Sequence, residues 1–176
     1  MKKAMFFVLL VVAFAVILNA QEKKDSWEPF RYFVGKWQGT GEGKPGILKS
    51  ESEFKFIFHE KYMQLNGKST LTSSDKSKGI QTYEDFAYFS YDAFRNKFVF
   101  RRFNSEGIID QYVLDSISVD KKTFIFLSEA VENIPSGLHG RITWKIVNEK
   151  EFTWTFELAP PGKDFEKYVE TKLKRK

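Results

Sequence analysis

Between residues 51 and 59 the chain alternates: Phe54, Phe56 and Phe58 fall on one side, Glu53, Lys55 and Ile57 on the other. A two-residue period predicts a strand with one buried face. Further short segments carry β-type composition, at residues 62–72, 85–91, 97–103, 108–118, 123–129, 140–147, 151–158 and 165–174. Turn-forming residues separate them at 92–96, 104–107, 119–122, 148–150 and 159–164. Asn66-Gly67 predicts a bulge inside the second of these strands, and 73–81 reads as a polar loop. Ahead of the strands, Ser26-Trp27-Glu28-Pro29 predicts a short helical turn with Ser26 as its cap, and Phe30, Phe33 and Val34 share one face of it. The whole reads as all-β, about ten strands joined by short links, which favours a single up-and-down antiparallel barrel over a sandwich. The turn at its start would close one end.

The first strand has its own signature. Gly35, Gly39, Gly41 and Gly43 recur at even spacing with Trp37 among them. Glycines at alternate positions leave one face of a strand bare, so a neighbouring backbone can approach or the sheet can bend sharply. Trp37 on that same face would plug the end of a barrel. Barrels of this size fill with side chains or hold one small ligand.

The first twenty residues follow a different plan. Lys2 and Lys3 precede an unbroken apolar run over 4–18, and Asn19-Ala20 leads into polar residues. That order predicts a secretory signal peptide over 1–20, with an uncleaved N-terminal anchor as the alternative, a linker over 21–27 and a barrel domain over 28–176. The apolar run is shorter than the roughly 20 residues a spanning helix needs. The expected destination is periplasmic or extracellular. An exported domain with no cysteine must rest on its core, and 19 phenylalanines make an aromatic core available. Removing the leader leaves about 155 residues, one domain by size. The net charge of +5 falls to +3 without Lys2 and Lys3, and the charges are interspersed. That excludes a nucleic-acid-binding stripe and points to no membrane contact beyond the leader.

Candidate chemistry is sparse. The two histidines, His59 and His139, lie in different segments, and the chain has no HExxH, CxxC or GxSxG motif. No catalytic residue is predicted. His139, after a glycine-containing loop, is a candidate for the barrel mouth. Arg101 and Arg102 are adjacent, so a regular strand sends them to opposite faces. The one inside needs a carboxylate, for which Glu106, Asp110, Glu129 and Glu132 are available. It would act either as a structural ion pair or as an anion clamp. Tyr83, Tyr88, Tyr91, Tyr112 and Tyr168 are spread over several strands, and tyrosine suits a half-polar cavity wall; Tyr112 and Tyr168 are the pocket candidates among them. The candidate ligand pocket is thus Arg101, Arg102, Tyr112, His139 and Tyr168, with the loop from 129 to 135 at its rim.

The motif Gly35-x-Trp37-x-Gly39-x-Gly41-x-Gly43, with Arg101 to Gly107, Glu132 to Gly137 and Pro161 to Phe165, resembles the nitrobindin-type haem-binding barrels, which are related in shape to lipocalins and fatty-acid-binding proteins. The resemblance covers about residues 28 to 175. It implies a ten-stranded lipocalin-like barrel with an apolar pocket. It also implies haem as a possible cofactor, held on the last strand about seven residues before a closing arginine. Here those positions are Tyr168, in place of the family's histidine, and Arg175. A tyrosinate can hold ferric iron. Three functions remain open: a carrier of a small apolar or amphipathic ligand, a ferric haem protein with nitric-oxide or peroxynitrite chemistry, and an interaction module whose barrel is filled by its own side chains.

Overall fold

The computed structural model describes residues 26–134 and 136–176, so the expected signal peptide and most of its linker lie outside the described residues. Ten antiparallel strands close into one barrel. They are β1 (Gly35–Gly43), β2 (Gly46–Ile57), β3 (Tyr62–Ser73), β4 (Ile80–Asp92), β5 (Lys97–Asn104), β6 (Ile109–Ile117), β7 (Thr123–Glu132), β8 (His139–Asn148), β9 (Glu151–Ala159) and β10 (Glu166–Arg175). Each strand pairs with its neighbours in sequence, and β1 closes the barrel against β10 from Trp37↔Arg175 to Gly43↔Val169. The up-and-down barrel is therefore the observed fold.

The glycine stripe explains the closing seam. A Cβ on Gly39 would sit 1.8 Å from the carbonyl oxygen of Lys172, and one on Gly43 would sit 2.1 Å from that of Tyr168. The backbones of β1 and β10 come so close that only glycine fits on that face.

Details of the strands differ from expectation. β2–β3 and β3–β4 keep one register throughout, so Asn66-Gly67 is not a bulge. Irregularities fall instead in β6–β7, β8–β9 and β9–β10. The segment 73–81 is largely ordered by a 3-10 turn, Lys76–Lys78, which Asp75 caps by accepting from the Ser77 N–H. Phe58 does not continue the inner face of Phe54 and Phe56. It is 72% exposed, in a turn where Phe58, His59 and Glu60 all have positive φ.

One end of the barrel is sealed by the N-terminal 3-10 turn, Glu28–Phe33, which holds Pro29 in its first positions. Trp27 takes the cap position expected of Ser26. Phe30 and Phe33 enter the barrel and are fully buried, whereas Val34 is only half-buried. They meet Phe124, Trp144 and Phe152 at ring separations of 4.7–5.5 Å. Trp37 lies beside them with no exposure and donates from Nε1 to the Phe33 carbonyl at 2.7 Å. Arg175 stacks its guanidinium 4.3 Å from the Trp37 ring and donates to the carbonyls of Val34 and Tyr32. One arginine thus ties the last strand, the first strand and the plug together. The cation supplies donors that two otherwise orphaned turn carbonyls need.

Candidate functional site

The barrel is filled at one end and hollow at the other. Above the aromatic layer, among the described residues, lies a cavity of about 370 Å³, rimmed by Pro45, Ile108, Ile134 and Leu138 from the loops of the open end. Leu48, Leu71, Phe156 and Leu158 form much of its wall. A smaller chamber of about 120 Å³ shares Leu48, Ser69, Asp85, Arg102, Phe156 and Val169 with it and reaches the hydroxyl-bearing Ser50, Ser52 and Thr171. The filled-barrel expectation holds only for the closed half.

The floor of the cavity is charged. Strand parity turns Arg102 inward with Phe98 and Phe100, two and four residues earlier on β5. Directly across on β6 stands Asp110, only 4% exposed, which accepts from Arg102 Nε at 3.0 Å and from Nη2 at 2.5 Å. Tyr112, also buried, donates its hydroxyl to the same carboxylate at 3.3 Å. Asp85, inward on β4 with Ala87 and Phe89, completes the group. Its carboxylate takes no hydrogen bond from another described side chain.

Burial and pairing set the protonation of this group. Burial works against the charge of Arg102, but Asp110, Tyr112 and Asp85 more than offset it and hold the guanidinium protonated. Burial raises the Tyr112 phenol; Arg102 opposes this and Asp110 adds to it, so the phenol stays neutral. Asp85 is also pushed above the usual carboxylate range, first by burial, against the pull of Arg102 and with the help of Asp110. Near the mouth, burial raises the Tyr83 phenol, and Glu106 and Tyr168 add to the effect.

The expected pocket residues separate. Arg102, Tyr112 and Tyr168 line the cavity together. Arg101 does not: alternation sends it to the outer face, where it pairs with Glu132 in solvent. His139 is exposed at the start of β8, and its neighbours Leu138 and Gly140 line the cavity instead. Tyr168 reaches the wall through a bulge. The register of β10 against β9 jumps from Lys167↔Glu157 to Val169↔Phe156, so Tyr168 is the extra residue and packs edge-on to Phe156 at 6.0 Å.

Tyr83, one of the tyrosines suited to a cavity wall, lines it, whereas Asp85 and the serines of β2 and β3 are not among the expected pocket residues. Asp85 carried a readable signal, because it shares strand parity with the apolar Ala87 and Phe89. The serines carried the same one: Ser50 and Ser52 share parity with Phe54, and Ser69 with Met63, Leu65 and Leu71.

These residues fit haem poorly. Among the described residues no histidine lines the cavity, its one arginine is engaged by Asp110, and the three carboxylates that line it would repel two propionates. Tyr168 is the one feature the resemblance called for that stands at the cavity wall.

No protein-family model matches the sequence, and no curated protein matches it. Solved structures do share its shape. The chain is similar to Rv2717c from M. tuberculosis, with a TM-score of 0.65, 14% identity, and 85% of this chain and 96% of that one covered. It is also similar to the S-type phycobiliprotein lyase CPES from Guillardia theta, with a TM-score of 0.52, 9% identity, and 88% and 94% covered. At these identities the likeness shows the fold alone, a closed antiparallel β-barrel.

Proposed function

We propose that the protein is an exported carrier that holds one small amphipathic molecule in the open half of its barrel. The observation that carries this reading is the cavity itself: about 370 Å³ of space, apolar on its walls, with polar groups gathered on its floor. Ligand sites are typically clefts of about 300–1,000 Å³ with this division of labour. Among the described residues no group of three or more His, Cys, Asp or Glu side chains could hold a metal ion. Export rests on the order of charge and hydropathy in residues 1–20. Protein recovered from its native host should carry a bound small molecule in native mass spectrometry and begin near Gln21. Ligand-free protein that also binds no apolar probe contradicts the carrier reading, and an intact Met1 in a cytoplasmic fraction contradicts export.

A nitrobindin-type haem function is the second reading, supported by the position of Tyr168 on the cavity wall. Titration with haemin, followed by absorption, separates the two. The carrier reading expects no saturable ferric spectrum at micromolar haemin. A saturable spectrum lost in Tyr168→Phe would establish haem instead.

A further inference from the structure

The protein is basic as a whole, yet its interior is acidic. The charged side chains lining the cavity are Asp85, Glu106, Asp110 and a single cation, Arg102. Asp110 takes both hydrogen bonds that Arg102 gives to the floor, so that pair is closed. Asp85 remains over, a carboxylate facing the deep chamber with the hydroxyls of Ser50, Ser52, Ser69 and Thr171. Gly67 on β3 opposes it, and a Cβ there would lie 2.5 Å from its Oδ1. The missing side chain leaves the carboxylate room to sit at the wall of the chamber. A half-buried acid with neither a counter-ion of its own nor a side-chain hydrogen-bond donor costs stability in proportion to its desolvation. A site arranged this way gains most from a ligand that supplies both.

We propose that the deep chamber is a head-group site for a cationic, hydrogen-bond-donating amphiphile, with a primary ammonium group on Asp85 and the apolar tail along the outer cavity. This deepens the carrier reading and rests on it. Bringing one positive charge beside Asp85 turns a floor of one cation and two carboxylates into a balanced set of two and two. A carboxylate head would add a third negative charge to the same space. The groups facing Asp85 are Arg102 from β5, Asp110 and Tyr112 from β6, and Tyr83 on its own strand, with Glu106 in the following loop; β3 presents Gly67 and Ser69. Of these, only Arg102 is positive.

Calorimetric titration of the full chain with decylamine, decanol and decanoate tests the proposal. Decylamine should bind about ten- to hundredfold more tightly than decanol, the span a hydrogen bond to a charged group supplies, and decanoate should bind most weakly. Asp85→Asn, which keeps shape and loses charge, should erase the preference for decylamine over decanol. Because burial raises the proton affinity of Asp85, decylamine binding to the wild type should release protons and strengthen as pH rises above the usual carboxylate range, with decanol flatter. Decanol binding without a preference for the amine overturns this proposal alone. Equal or tighter binding of decanoate does the same. If none of the three binds, both the carrier reading and this proposal fall. The three-probe comparison on wild type decides the matter even if the variant does not fold.

Discussion

Replacing Arg102 with methionine removes the cation from the floor of the cavity while keeping an unbranched apolar stem. Asp110 then loses two hydrogen bonds, at 3.0 and 2.5 Å, in a site where its side chain is 6% exposed. Asp85 loses the nearby positive charge that draws its proton off. Breaking a buried pair at one partner costs about 3–5 kcal/mol, most of it the penalty on the charge left behind. Arg101 is one residue away on the same strand, but its pair with Glu132 is about half exposed on both sides. Losing such a surface pair costs about 0–1 kcal/mol. For a domain of this size each kcal/mol moves the melting temperature by about 2–4 °C. Arg102→Met should therefore lower it by about 6–20 °C and Arg101→Met by a few degrees at most. Adding Asp110→Leu to Arg102→Met should recover much of the loss, because the stranded carboxylate goes with it. Differential scanning calorimetry at pH 7 measures all three. Equal small effects of both arginine variants, or no recovery in the double variant, would refute the argument that a buried charge pair floors the cavity.

Trp37→Ala removes a fully buried indole and its bond to Phe33, so it should cost about 3–5 kcal/mol; a thermal melt matching wild type would contradict its role at the closed end. Arg175→Met should cost about 2–4 kcal/mol through the lost carbonyl bonds and the contact with Trp37, and hydrogen exchange should show the N-terminal turn opening first. Gly39→Ala should disturb the β1–β10 seam by about 1–3 kcal/mol or more, because the clash is with backbone that has no rotamer to escape into; unaltered melting would count against the close approach. Asp85→Asn should raise stability at neutral pH. The folded state holds the Asp85 proton more tightly than the unfolded chain does, so the native acid loses stability as pH rises through the window between those two affinities. The gain should shrink toward pH 4, and a variant less stable than wild type at pH 7 would show that attraction to Arg102 outweighs burial.

The architecture was legible because strand period, turn residues and the glycine stripe are local signals. Alternation through Phe54 and Phe56, and the even spacing of Gly39, Gly41 and Gly43, fix faces without knowledge of the partner strand. Errors arose where tertiary geometry overrides the period. Phe58 leaves the pattern because three left-handed residues turn the chain there. Asn66-Gly67 looks like a bulge by composition, yet Gly67 is needed for room beside Asp85. For the site, alternation required that Arg101 and Arg102 face opposite ways, and the shared parity of Arg102 with Phe98 and Phe100 already marks it as the inner one. Among four carboxylates, only the β5–β6 pairing selects Asp110. Tyr168 enters the wall through a bulge in β10, which local sequence does not mark. Whether the barrel is hollow depends on how far the buried aromatic cluster reaches, and beyond it Leu48, Leu71 and Leu158 stand around open space.

The central claim is that the open half of the barrel takes up a small amphipathic molecule. Backbone amide NMR shifts recorded during titration with decanol test it directly. Saturable changes should cluster on Leu48, Leu71, Asp85, Ile108, Val131 and Leu158, around the cavity. The exposed apolar residues Phe58, Phe94 and Val119, in the turns of the closed end, should stay still. Changes confined to those turns, or no saturable change anywhere, would contradict the claim.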